Sequence, residues 1–136
     1  MTRAMALSCC LFAAATPARA AEASEAAALQ AAEAWLKLID TGQYGASWDG
    51  ASSSFRKAVS RSTWEKKAAA AREPLGKVLE RKVSSQELTH ELPGAPDGTY
   101  VLLIFDTRFE HKERGHETVI MTLDDGRFRA ASYFIR

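Results

Sequence analysis

Apolar positions along the chain follow two regimes that change over near Gly76: helical spacing before it, alternation after it. Within Ala21–Asp40, Leu29, Ala32, Leu36 and Ile39 recur every three or four residues. Trp35 widens the stripe, and the alanine-rich background favours one helix closed by Gly42. Tyr44–Trp48 reads as a short helical piece ended around Gly50. Phe55–Val59, led in by Ser52-Ser53-Ser54, reads as another. Ser62-Thr63-Trp64-Glu65 has the form of a capping box, its serine oxygen accepting from a first-turn amide while the glutamate reaches back. The helix it opens runs through Ala68–Ala71 and stops at Arg72-Glu73-Pro74, because the residue before proline is driven out of helical geometry.

Beyond Lys77 the pattern predicts strands. Val78–Leu92 is a long, mixed strand with room for a bulge, and Pro93–Gly98 is a turn. Thr99–Glu110 is a second strand, His111–Gly115 a polar loop and His116–Leu123 a third strand. Asp125-Gly126 is a tight hairpin signal, and Arg127–Arg136 is the fourth strand. Helices followed by a four-stranded antiparallel meander make one α+β domain.

The last hairpin sets a register. With Asp125-Gly126 central, Asp124 pairs with Arg127, Leu123 with Phe128, Met121 with Ala130, Val119 with Ser132 and Glu117 with Phe134. That face is apolar apart from Ser132 and Glu117. Carried into the second strand, the pattern turns Val101, Leu103, Phe105, Thr107 and Phe109 inward and Asp106, Arg108 and Glu110 outward. Glu117 is therefore a carboxylate among apolar neighbours, where an unpaired charge costs several kcal/mol. Three roles are open to it: a wet strand end, a structural ion pair with Arg72 or Arg81, or a functional acid with a raised pKa, aided by Tyr133.

The first twenty residues bear on compartment. Arg3, the apolar run Ala4–Thr16 and the small residues Ala18-Arg19-Ala20 have the order of a secretory signal, too short to span a bilayer comfortably. The expectation is cleavage after Ala20, leaving residues 21–136 as a single exported domain with no later transmembrane segment. Cys9 and Cys10 both fall in the leader, and the short run before Cys9 argues against a lipid anchor, so the mature domain has no thiol chemistry.

Charge adds an asymmetry. Arg56–Lys82 holds nine basic residues against Glu65, Glu73 and Glu80, whereas residues 22–49 carry five acids against Lys37. The basic segment either faces acids within the fold or offers Lys66, Lys67 and Lys77 to an anionic envelope component. The near-neutral total argues against nucleic acid as a partner. His90, His111 and His116 are too dispersed for a zinc site, and no nucleophile elbow, phosphate loop or dinucleotide fingerprint occurs, so no metal or cofactor is expected. Trp35, Trp48 and Trp64 suit core packing, with an aromatic binding wall as the alternative for a residue such as Trp48.

Trp48, Trp64, Arg72-Glu73-Pro74-Leu75-Gly76, the stretch Leu92 to Tyr100, Phe105-Asp106-Thr107-Arg108-Phe109, Glu117 and Tyr133-Phe134-Ile135 occur in an order that resembles a small exported bacterial family, domain of unknown function 4019. The resemblance spans Leu29 to Ile135 and brings no catalytic residue with it. It departs at Ala131-Ser132, where a glycine is expected. The order of elements is also similar to the cone-shaped folds of nuclear transport factor two and the cystatins, some of which hold a pocket used by isomerases or dehydratases. The expected function is a non-catalytic binding or accessory domain of the cell envelope. It would take a small ligand in the cone or an anionic component at Arg72, Arg81 and the lysines. The alternative is a small pocket enzyme working through Glu117.

Overall fold

The computed structural model describes residues 13–136. Most of the leader, with Cys9 and Cys10, lies outside them. Helix α1 (Pro17–Asp40) begins earlier than the apolar stripe predicts, because Thr16 caps it and Pro17 occupies its first turn, a position where proline's missing amide is harmless. Its buried face, Ala28, Ala32, Trp35, Leu36 and Ile39, repeats the predicted stripe around Leu29, which is only partly buried. Two short helices follow, α2 (Tyr44–Asp49) and α3 (Ser53–Ala58), the second capped by the Ser52 hydroxyl.

Helix α4 (Arg61–Arg72) corrects the capping-box reading. Ser60, not Ser62, is the cap, its hydroxyl accepting from the Thr63 amide at 3.3 Å. Glu65 is then one turn from Arg61 and accepts from its guanidinium at 2.7 Å instead of reaching back to a cap. A single 3-10 turn, Glu73–Leu75, absorbs Pro74.

Four antiparallel strands, β1 (Val78–Thr89), β2 (Tyr100–Phe109), β3 (Lys112–Asp124) and β4 (Arg127–Ile135), lie in chain order as an open sheet. The architecture is α+β, as the pattern predicts. β1 ends at Thr89 rather than Leu92, and its expected irregularity appears as two register shifts. The predicted loop His111–Gly115 is mostly strand: β3 starts at Lys112, and only Glu110-His111 turn. The strand ends there are wet, so no apolar alternation marks them. Gly115 is the exception, with Phe109 packed so close that a Cβ would lie 2.8 Å from its ring.

Asp125 and Gly126 both have positive φ, the type I′ geometry that matches strand twist. The predicted register holds from Asp124–Arg127 to Met121–Ala130 and then shifts, because a bulge places Ala131 out of step. Beyond it Ile120 pairs with Ser132, Val119 with Tyr133, Thr118 with Phe134 and Glu117 with Ile135. Tyr133 consequently turns inward, and Phe134, expected in the core, is 40 % exposed. The bulge sits where a glycine is expected, but among the described non-glycine residues only Asp125 has positive φ, so alanine fits without strain.

The core lies between α1 and one sheet face. Val101, Leu103, Phe105, Val119, Met121 and Ala130 meet Trp35, Leu36 and Ile39, with Phe55 and Trp64 closing the helical end. Inward Val101 to Phe109 and outward Asp106, Arg108 and Glu110 are as predicted.

Candidate functional site

One polar cluster interrupts this core, and all four strands contribute to it: Arg81 of β1, Thr107 of β2, Glu117 of β3 and Tyr133 of β4. Asp40 at the end of α1 and Arg72 at the end of α4 complete it. Glu117 is fully buried because β3's alternation survives the bulge, which lies on the partner strand. Its Oε1 accepts from Arg81 Nε at 2.7 Å and from the Thr107 hydroxyl at 2.5 Å. Its Oε2 accepts from Arg81 Nη2 at 3.2 Å and from the Tyr133 hydroxyl. A bidentate guanidinium with two hydroxyl donors occupies both oxygens, which is what a buried carboxylate needs.

Arg81 is shared. Its Nη1 and Nη2 donate to the two oxygens of Asp40 at 2.7 and 2.9 Å. Asp40 also accepts from Arg72 Nη2 at 3.3 Å. The Arg72 guanidinium is buried, stacks 4.6 Å from the Phe109 ring and donates to the Gly76 carbonyl at 3.1 Å. Two carboxylates and two guanidiniums leave the cluster neutral overall. Burial pulls the Arg81 guanidinium toward losing its proton, but hydrogen bonds and charge from Asp40 and Glu117 outweigh this and hold its pKa above the ordinary value. Burial, then the Glu117 charge and hydrogen bond, push the Tyr133 phenol well above its ordinary 10.0.

Of the roles open to Glu117, the geometry is that of an ion pair with Arg81. Arg72, the other candidate partner, pairs with Asp40 instead. Glu117 is fully buried, whereas Tyr133 lines a cleft between α4 and β4. Sequence reasoning turned Thr107 inward without giving it a role, and it missed Asp40. A signal for Asp40 was present: an acid at a helix C-terminus opposes the helix dipole and calls for a cation.

The other candidates are dispersed. The Trp48 indole donates to the Val59 carbonyl at 2.8 Å, and Trp35 and Trp64 both donate to Ser47, through its carbonyl at 2.8 Å and its hydroxyl at 2.9 Å. All three N–H groups are satisfied, and the Trp35 and Trp64 rings lie in the core with Trp48 packed against it. Lys66 and Lys67 stand exposed on α4, and Lys77 precedes β1. Part of the charge asymmetry is internal: Asp49 pairs with Arg61, and Asp40 with Arg72 and Arg81. Among the described residues, Arg56, Lys57, Lys66, Lys67 and Lys77 have no carboxylate within ion-pair distance. No group of three or more metal-ligating side chains occurs among the described residues.

No curated protein matches the chain. The family model described as protein of unknown function (DUF4019) matches residues 31–133. That span runs from the core face of α1 to Tyr133 and contains every member of the buried cluster. The chain belongs to the DUF4019 family.

Proposed function

We propose that this chain is an exported, non-catalytic binding or accessory domain of the bacterial envelope, presenting a cationic surface to an anionic partner. The observation that carries the reading is the contrast between two sets of charges. The carboxylate best placed for acid–base work is buried, with both oxygens engaged, while five basic side chains from Arg56 to Lys77 stand unpaired among the described residues. A general acid or base must reach its substrate within hydrogen-bond distance, and Glu117 is fully buried with both oxygens engaged. Export is supported by the leader's charge–apolar–small-residue order and by burial: the described leader residues, 13–20, are all exposed, and the first fully buried residue of α1 is Ala28.

The test has two arms. Expressed in a bacterium, the protein should be recovered outside the cytoplasm with its mature start at or near Ala21, as read by mass spectrometry. A retained Met1 in the cytoplasmic fraction contradicts export. Purified protein should be retained on immobilised heparin at low salt and released as the screening length falls below about 10 Å near 0.1 M. Reversing Lys66, Lys67 and Lys77 to glutamate should remove retention. Absence of retention in the parent contradicts the binding reading.

A further inference from the structure

We propose that the open half of β4 and the facing side of α4 receive an extended, acidic segment of another protein, which joins the sheet as an added strand. This rests on the binding-module reading above and names the partner's chemistry. A cleft of about 590 Å³ lies between the two elements. Trp64, Lys67, Ala68 and Ala71, one face of α4, form one wall, and the two alanines leave it wide. The other wall is four consecutive residues, Tyr133 to Arg136. A cleft lying over one face of a strand touches alternate residues, because successive side chains point to opposite faces. Contact with four in a row, and with Leu75 and Lys112 past the end of β4, runs this cleft along the strand's edge and around its C-terminal end.

The backbone there is ready to pair. His116 and Arg136 exchange both backbone hydrogen bonds at 2.9 Å. By antiparallel alternation Phe134 also bonds toward β3, so the N–H and C=O groups of Tyr133 and Ile135 face the cleft. The two edges of the sheet differ. β1 carries Glu80, Arg81, Lys82 and Glu87 with two register shifts, features that blunt an edge. On β4 the upstream half is covered, the Ser52 amide donating to the Ala130 carbonyl at 2.9 Å. Its downstream half, Ser132 to Ile135, has neither charge nor proline.

Charge selects the occupant. Lys67, Lys112 and Arg136 line the cleft and no carboxylate side chain does. A second copy paired edge to edge would bring these same cations together, and residues 1–12 of this chain contain no acid. An anionic amphiphile would match the rim and the apolar floor but leave the outward groups of Tyr133 and Ile135 unbonded. An acidic strand satisfies all three features, main-chain bonds supplying affinity and alternate side chains specificity.

A fluorescein-labelled heptapeptide alternating valine with glutamate, titrated with the full chain by fluorescence anisotropy, tests this. It should bind saturably and about tenfold tighter than the same peptide with lysine for glutamate, since like charges are rejected. Ile135→Pro removes an amide that faces the cleft rather than β3, a place where a sheet tolerates proline. It should weaken binding at least about tenfold while the melting temperature holds. Should that variant fail to fold, Ala71→Trp, which fills the cleft from the exposed side of α4, must abolish binding. Undiminished affinity in the folded variant, or no binding by the parent, overturns the proposal. So does a parent dimer that Ile135→Pro dissolves, or displacement of the peptide by phosphatidylglycerol vesicles whose own binding Ile135→Pro leaves unchanged. Heparin retention without peptide binding sinks this inference alone, whereas loss of both sinks the binding-module reading as well.

Discussion

Tyr133 joins two environments: its ring lies edge-on to Trp35 with centroids 5.4 Å apart, and its hydroxyl donates to Glu117. Because burial beside a carboxylate raises its pKa, the native state keeps the phenolic proton where the unfolded chain releases it. A group with a raised folded pKa contributes stability that is complete below the unfolded value, here near 10, and is lost as pH rises above it. Urea unfolding followed between about pH 9 and 11 should therefore show a steeper loss in the parent than in Tyr133→Phe. At neutral pH that substitution should cost about 1.5–3 kcal/mol, the range for a hydrogen bond to a charged group. Equal alkaline slopes would contradict the assignment. Glu117's inward orientation was legible in the sequence, because β3 alternates without interruption from Met121. Its inward partner was not: a bulge one residue long reverses β4, and two-residue periodicity carries no mark of it.

At the scale of elements, the bulge at Ala131 decides which aromatic residues hold the core. Phe105→Ala should cost about 3–5 kcal/mol, whereas Phe134→Ala, half in solvent, should cost much less. Denaturation midpoints that move equally would contradict the observed facing. Gly115 makes a second test, on the β2–β3 hairpin. An added methyl would lie 2.8 Å from the Phe109 ring and 3.1 Å from the Thr107 carbonyl. Gly115→Ala should destabilise by about 1–3 kcal/mol through overpacking, and an unchanged midpoint would show that the ring moves aside freely. Most element types were readable because helical and alternating patterns separate cleanly at Gly76. Their ends were less so. Ser60 and Ser62 both offer a capping oxygen, and the polar residues Lys112 to Arg114 hide a strand whose outer end is wet.

Across the whole molecule, the acidic first helix and the basic middle segment are partly one structure, since Asp40 draws Arg72 and Arg81 to the end of α1. Opposite charge in the two stretches was visible in the sequence. Which residues meet was not, because Arg72 and Arg81 lie 32 and 41 residues from Asp40 and only the fold brings them to it. The cluster therefore ties α1 and α4 to every strand, and Glu117 works there as a structural partner. Equilibrium urea unfolding of Glu117→Gln measures that role. Loss of the carboxylate leaves Arg81 with one anion instead of two and sets an amide against donors that require an acceptor. Glu117→Gln should cost about 3–5 kcal/mol, the range for breaking a buried ion pair by removing one member. Stability equal to or above that of the parent would contradict it, since active-site groups are the ones whose removal leaves a fold as stable or more so.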